Sequence, residues 1–107
     1  MNYSIKQLVP QLKALADPAR LRMVMLCAQG ECSVSELTRI LGLSQPRVSQ
    51  HLKQLCDVGL LERFRDGHFG YYRVMSGGRH AALRRKLLAL VPADEPSVAA
   101  DIGGLRE

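Results

Sequence analysis

The segment from Ser33 to Leu61 constrains the fold most, because it carries the start and stop signals of two short helices joined by a tight turn. Ser33 and Glu36 have the Ser-x-x-Glu spacing of a capping box, in which each side chain bonds a free backbone N–H. Gly42 supplies a residue that ends a helix with positive φ. Ser44 then caps the second helix, whose first turn contains a proline. This pattern predicts a helix-turn-helix.

The second of these helices has one apolar and one polar side. Val48, Leu52 and Leu55 recur at helical spacing and predict the buried side. A helix-turn-helix places its second helix in the DNA major groove, where polar side chains face base edges and phosphates. An ordinary helical hairpin with a solvated face is the alternative, and the cap, the glycine stop and the basic, amide-rich side favour DNA. That side carries Arg47, Gln50, Lys53 and Gln54.

The hydrophobic period changes after Gly59. Residues 61–65 and 71–75 alternate, and an Asp-Gly turn signal separates them, so the segment predicts a two-stranded hairpin, or wing. Gly70 predicts a bulge at the start of the returning strand. Stabilising the core and touching DNA are compatible roles for such a wing. The wing residues predicted to reach flanking phosphates or the minor groove are Arg63, Arg65, Gly67, His68 and Arg73.

Helical periodicity also predicts elements on both sides of this central unit. A first helix covers residues 4–16, where Pro10 requires either a kink or a helix that starts close to it. Asp17-Pro18 restarts the chain as a second helix, with Arg20 and Arg22 on its outside.

A last helix covers residues 79–91 and ends before Pro92. Its polar residues are Arg84, Arg85 and Lys86. Because the apolar stripes of the first and last helices exceed what a small core can cover, we predict a homodimer through these two helices.

The whole chain of 107 residues therefore predicts a mainly α, winged helix-turn-helix fold with about five helices and a small β-hairpin wing. Residues 1–91 form the DNA-binding and dimerisation domain, and residues 92–107 form an acidic C-terminal tail that is loose or forms a short helical turn. The formal net charge is +5, and the tail carries four acids against Arg106, so the rest of the chain is strongly basic. A basic body suits an anionic partner such as nucleic acid.

No apolar run approaches the ~20 residues that span a bilayer, and the N-terminus has no secretory signal pattern. We therefore expect no membrane partner and a cytoplasmic location.

Two stretches together resemble the ArsR/SmtB family of winged-helix repressors. They are LADPARLRMVMLCAQGECSVSEL and LGLSQPRVSQHLKQLCDVGLLERFRDGHFGYYRV, and the resemblance covers about Leu12 to Val74. It implies a dimeric repressor that binds double-stranded operator DNA and is released by an inducer. By position it implies that the wing tip and a set of residues in the second motif helix lie at or near the groove. That set is Ser44, Gln45, Arg47, Ser49, Gln50 and His51.

The chemistry of the side chains predicts different roles for the residues of the second motif helix and of the wing. Arg47 can bond guanine at two atoms, and Gln50 can do the same for adenine, each for about 1–3 kcal/mol of discrimination. Lys53 and the wing arginines suit phosphate contacts, which hold register without reading sequence. His51, beside the apolar stripe, is either a core-edge histidine with one hydrogen bond or a base or phosphate contact.

The usual metal sites of the family are absent from the sequence. Arsenic and lead sensors of the family carry Cys-Val-Cys at the start of the third helix, where this chain has Ser33-Val34-Ser35. The family's zinc sensors use Asp and His pairs along the last helix, which here contains only His80. One imidazole cannot hold zinc, which takes about four ligands.

Three interpretations of the inducer remain, and no cofactor is certain. Cys27 resembles in position one of two thiols used by the family's persulfide and redox sensors, and would pair here with Cys32 or with a small thiol. A thiol site of Cys27, Cys32 and Cys56 would bind arsenite. A small organic effector between the helices of a dimer is the third. Alternatively, all three cysteines are small core residues, as free Cys often is.

Two other classes of function compete with DNA binding. A winged-helix protein-interaction module that does not read DNA is the alternative, but it would not need the arginine and glutamine side of the second motif helix. The chain has no Ser-His-Asp arrangement, no Gly-rich phosphate loop and no acidic cluster, so we expect no enzyme activity.

Overall fold

The computed structural model describes residues 3–78 and 80–105. Within these ranges it has the predicted mainly α fold with a hairpin wing. Arg79, the predicted first residue of the last helix, and the tail residues Arg106 and Glu107 lie outside the described residues. No helix in the described ranges combines the length and apolar character needed to cross a membrane. The elements are α1 (Ile5–Leu15), α2 (Pro18–Gln29), α3 (Val34–Leu41), α4 (Gln45–Asp57), β1 (Leu61–Asp66), β2 (Phe69–Val74), α5 (Ala81–Leu88) and α6 (Pro96–Leu105).

One hydrophobic core joins α2, α3, α4 and the start of the wing. Leu37, Leu52 and Leu55 are fully buried, as the helical spacing of the motif predicts. Met23 and Leu26 of α2 are packed against them. Burial of each large apolar side chain is worth about 1.5–3 kcal/mol. This core therefore holds α4 with its polar side outward.

The caps of the helix-turn-helix form as predicted. The Ser33 hydroxyl accepts from the Glu36 N–H at 3.1 Å, and the Glu36 carboxylate accepts from the Ser33 N–H at 2.9 Å. Gly42 ends α3 with φ of 67°. The Ser44 hydroxyl accepts from the Arg47 N–H at the start of α4. Local sequence alone thus determines both ends of the turn.

The wing pairs β1 with β2 in an antiparallel register from Leu61 opposite Val74 to Asp66 opposite Phe69. The predicted bulge at Gly70 is wrong, because Gly70 pairs regularly with Arg65. The glycine makes room instead: a Cβ there would lie 3.0 Å from the Arg63 guanidinium.

Cys32 forms an isolated antiparallel bridge with Tyr72 of β2. Its N–H donates to the Tyr72 carbonyl at 3.0 Å, and its carbonyl accepts from the Tyr72 N–H at 2.8 Å.

α1 runs through Pro10 and begins at a capping box on Ser4, so it does not start at the proline. α2 begins at the Asp17 cap, whose side chain accepts from the Arg20 N–H. Arg20 and Arg22, predicted on the outside, are only partly exposed because both are bonded to other elements.

α5 is shorter than predicted and ends at Leu88, followed by turns with i→i+3 hydrogen bonds at Leu90 and Val91. Arg84, predicted as one of its polar residues, is instead buried, at 3% exposure.

The predicted acidic tail contains α6, a sixth helix, which packs on α2 and α3. Asp101 forms a two-atom ion pair with Arg22, with N–O distances of 2.9 and 2.7 Å. Arg39 donates to the Gly104 carbonyl at 3.0 Å. A Cβ at Gly104 would lie 3.2 Å from Ile40, so the glycine allows this close approach.

Candidate nucleic-acid interface

The polar side of α4 presents two long side chains with no internal partner. Arg47 and Gln50 are exposed, and within the described parts of the chain neither side chain makes a hydrogen bond or an ion pair. The buried stripe of Val48, Leu52 and Leu55 fixes which way they face. Unpaired donors and acceptors on a rigid helix remain available to an external partner. Arg and Gln are the side chains that bond guanine and adenine edges at two atoms.

Several other polar residues of α4 are engaged within the protein, whereas Gln54 is exposed. Ser44 acts as the helix cap, and Gln45 donates to the Ser49 hydroxyl at 2.8 Å. Lys53 forms an exposed ion pair with Asp57 at 2.7 Å, and the hydrogen bond to Asp57 raises the Lys53 pKa. Lys53 stays charged, but Asp57 offsets part of its field.

His51 lies at the edge of the interface rather than at its centre. Its Nδ1 is 3.3 Å from a guanidinium nitrogen of Arg20, and the His51 residue is only partly exposed. Arg20 also donates to the carbonyls of Ala14 and Lys13. This is the arrangement of a core-edge histidine with one hydrogen bond, one of the two roles considered for it. Sequence reasoning missed the contribution of Arg20.

The wing adds exposed positive charge beside α4. Arg63, Arg65 and His68 are exposed, and Gly67 forms the tip with φ of 64°. Arg73 is different, because it forms an ion pair with Glu62 at 2.7 Å and its guanidinium lies 4.4 Å from the Phe64 ring centre. Arg63 and Arg65 are therefore freer than Arg73 to contact phosphate.

A cleft of about 220 Å³ separates the wing from the start of α3. Ser33 and Ser35 line it on one side, and Arg63 and His68 on the other. The positions that carry thiols in the arsenic sensors of the resembled family thus face basic wing residues in this chain. Hydroxyls beside an arginine suit an oxyanion better than a soft metal.

Two of the three thiols lie together. Cys27 and Cys32 are both buried, and their thiols interact electrostatically. This interaction and burial raise the pKa of Cys27, whereas the same interaction lowers the pKa of Cys32. The Cys32 Sγ itself donates to the Gly30 carbonyl at 3.5 Å. Cys56 is half-buried, and burial raises its pKa. In residues 3–78 and 80–105 no three His, Cys, Asp or Glu side chains are grouped to hold a metal ion.

Comparison with known proteins agrees with this architecture. The family model described as "Bacterial regulatory protein, arsR family" matches residues 17–63, which include both motif helices. The arsenic resistance transcriptional regulator ArsR1 of Pseudomonas putida is 51% identical over 63 residues, covering 58% of this chain and 49% of that protein. The chain thus spans about half the length of that relative.

Longer matches come from a second relative and from a solved structure. The biofilm growth-associated repressor of Agrobacterium fabrum is 38% identical over 87 residues, covering 81% of this chain and 74% of that protein. The crystal structure of the transcriptional repressor BigR from Xylella fastidiosa superposes with a TM-score of 0.71 at 33% identity, covering 84% of this chain and 88% of that one. The likeness therefore extends beyond the helix-turn-helix to the surrounding helices.

Proposed function

Because this chain belongs to the ArsR family of bacterial regulatory proteins, we propose that it is a sequence-specific DNA-binding transcriptional repressor. The observation that supports this most is the exposed pair Arg47 and Gln50, which have no internal partner among the described residues. In this proposal α4 enters the major groove and these two residues read bases. Lys53 and the wing residues Arg63, Arg65 and His68 contact phosphates. The protein acts in the cytoplasm as a regulator and not as an enzyme.

The test uses a DNA duplex selected from a random pool by the wild-type protein. Replacing Arg47 and Gln50 together by alanine should remove discrimination at the bases they read, at about 1–3 kcal/mol for each residue. The control variant replaces Arg85 and Gln29, which are exposed on α5 and α2, by alanine. Equal affinity and selectivity in the Arg47 and Gln50 variant would refute the proposal.

Salt dependence separates this function from a protein-interaction module. Neutralising phosphates releases counterions, so the DNA affinity of a repressor falls steeply as salt is added. A module that does not read DNA selects no duplex from the pool. Selective binding with a steep salt slope supports the repressor, and failure to select any sequence supports the module.

We further propose that the functional unit is a homodimer through α1 and the α5 end of the chain. Ile5, Val9 and Leu12 lie on one side of α1 at 81, 36 and 43% exposure, and Leu90 after α5 is 76% exposed. An exposed apolar patch of this kind marks an interface, and a two-fold dimer matches a pseudo-palindromic operator. Replacing Leu12 by aspartate should give monomers in sedimentation velocity, whereas replacing exposed Lys6 by aspartate should not.

For the inducer, the proximity of Cys27 and Cys32 favours a thiol-reactive signal at this pair. In our proposal a hydroperoxide takes two electrons and two protons from the thiols, giving one disulfide, an alcohol and water. Cys32 is bonded through its backbone to Tyr72 of β2, so a new bond at Cys32 pulls on the wing. The three-thiol arsenite site and a small organic effector are the competing inducers.

Cysteine variants discriminate among these inducers. Cys27→Ser and Cys32→Ser should keep DNA affinity but abolish release by hydroperoxide, and Cys56→Ser should behave as the wild type. Release by arsenite that requires all three cysteines would support the three-thiol site instead. Unchanged release in both the Cys27 and Cys32 variants would remove the thiol hypothesis.

A further inference from the structure

The C-terminal end of α4 is bonded by two buried polar side chains that come from different helices. Gln11 of α1 is 2% exposed, and its Nε2 donates to the Val58 carbonyl. Arg84 of α5 is 3% exposed, and its Nη1 donates to the Gly59 carbonyl at 3.0 Å. Its Nη2 donates to the Gly77 carbonyl, in the segment before α5. Two consecutive carbonyls after α4 thus accept from α1 and from α5.

This end of α4 suits a buried cation. Carbonyls at a helix C-terminus lack internal partners and carry partial negative charge, which a cation stabilises. The last turn of α4 contains no basic residue of its own. Within the described ranges Arg84 forms no ion pair with a carboxylate, and burial lowers its pKa. The carbonyls therefore take the place of an acidic partner for the guanidinium.

The two ends of α4 are held in different ways. Ser44 caps the N-terminal end from three residues away, so the end nearest Arg47 is set by local sequence. At the other end the bonds join residues 47 positions apart for Gln11 and 25 positions apart for Arg84. The apolar stripe holds the body of α4, whereas the position of its C-terminal end also depends on where α1 and α5 lie.

We propose that Gln11 and Arg84 are positioning residues for DNA reading, which couple the arrangement of α1 and α5 to the orientation of α4. The inference rests on the proposed function, since α1 and α5 belong to the surface that we assign to a second copy. Leu88 of α5 packs against the hydrophobic core, and Arg84 of α5 supplies the polar link to the segment that follows α4. The pair thereby sets the separation of the two recognition helices in a dimer.

The test compares Gln11→Met, Arg84→Met and the double variant with the wild type on three kinds of duplex. One is the two-half-site sequence selected by the wild type, the second keeps a single half-site, and the third is a series with one to three base pairs added between half-sites. Each single variant should lose about tenfold or more on the two-half-site duplex, in the range of typical coupling between sites. Single-half-site affinity should change little, and the preference for one spacing should weaken.

The double variant sharpens the test, because two side chains that hold the same helix end should not act independently. We expect it to lose less affinity than the product of the two single effects. Arg39→Met is the matched control, since it removes an exposed guanidinium that also donates to a backbone carbonyl, that of Gly104, and should retain the spacing preference. Arg84→Lys keeps the charge and should restore part of the selectivity.

Different outcomes overturn different statements. A wild-type protein that selects no duplex refutes the proposed function, and this inference with it. If the wild-type protein binds one spacing tightly and the variants keep the same spacing preference, only the inference is refuted. Equal losses on one and two half-sites would also refute it, because they indicate a general effect on folding. If Arg84→Met fails to fold by circular dichroism, Gln11→Met carries the comparison, and an unchanged spacing preference in Gln11→Met then refutes the inference.

Discussion

The half of the molecule that we propose reads DNA, namely α3, α4 and the wing, is held together differently from the outer helices α1, α5 and α6. In the reading half, the N-terminal caps of the helices lie within a few residues of the backbone they bond, and the fully buried side chains of α3 and α4 are apolar. The outer helices also pack apolar residues on the core, but they add polar bonds between residues far apart in sequence. Those bonds run from Gln11, Arg84, Arg39 and the Arg22–Asp101 pair.

This difference makes the packing of α3 against α4 rigid and leaves the outer helices easier to rearrange. Apolar packing at native density gives one arrangement of α3 against α4, and small changes there are felt strongly. A few hydrogen bonds to carbonyls are each worth only about 0.5–1.5 kcal/mol net, so they can be exchanged when a neighbour moves. A regulator needs a rigid surface to read bases and a second part that responds to partner or inducer. The two halves match these two requirements.

The largest effect we predict is in the reading half. Leu52→Ala removes a side chain with 0% exposure, and the free energy of unfolding should fall by about 2–5 kcal/mol. Urea unfolding followed by circular dichroism measures it. Gln50→Ala, on the exposed side of the same helix, should change stability by less than about 0.5 kcal/mol. Comparable losses in both variants would contradict the assignment of the two sides.

A smaller effect should separate the outer helices from the core. Asp101→Asn weakens the bidentate pair with Arg22, and we expect a loss of about 1.5–3 kcal/mol, the scale of a hydrogen bond to a charged group. Amide hydrogen exchange should accelerate in α6 but not in α4. Asp94→Asn, which changes an exposed acid nearby in sequence, serves as the control. Uniform acceleration throughout the protein would show that α6 is not a separately held element.

The Asp17 cap tests how much a short-range hydrogen bond stabilises α2, the helix that contacts both halves. Backbone hydrogen bonding from Arg20 lowers the Asp17 pKa below its ordinary value of 3.8, so the charged cap stabilises the fold above that pH. The contribution is lost as the pH falls through the lowered folded-state pKa. Asp17→Asn still caps but does not titrate, so its stability relative to the wild type should improve by up to about 1 kcal/mol on acidification. Parallel curves down to pH 2 would contradict this.

The smallest effect should come from the wing surface. Glu62→Gln removes the exposed ion pair with Arg73, whose partners are 47 and 33% exposed. Such pairs contribute about 0.2–1 kcal/mol and less at high salt. Thermal unfolding at low and high salt measures the difference between wild type and variant, which should shrink as salt is added. A large, salt-independent loss would mean that this pair is part of the core.

The parts of the fold that sequence predicted well are those with short-range signals. Ser33, Gly42 and Ser44 determine the helix-turn-helix through residues three or four positions away, and the alternation of the wing strands is equally local. The prediction of a bulge at Gly70 is wrong because the glycine makes room for the Arg63 side chain, which comes from across the hairpin. That neighbour is distant in sequence and leaves no local pattern. Arg84 gave no signal of burial, since an arginine among polar neighbours in a short helix usually faces solvent.

The amino-acid sequence by itself determined the helix-turn-helix, the wing and the polar side of α4, because caps, turns and hydrophobic periods act over a few residues. Only the tertiary structure decided which polar residues are buried, which thiols meet, and that the end of α4 is bonded to α1 and α5. Those facts depend on carbonyls and side chains brought together from positions far apart in the chain. The packing of whole helices decides which of these groups meet, so no local sequence pattern predicts the contacts.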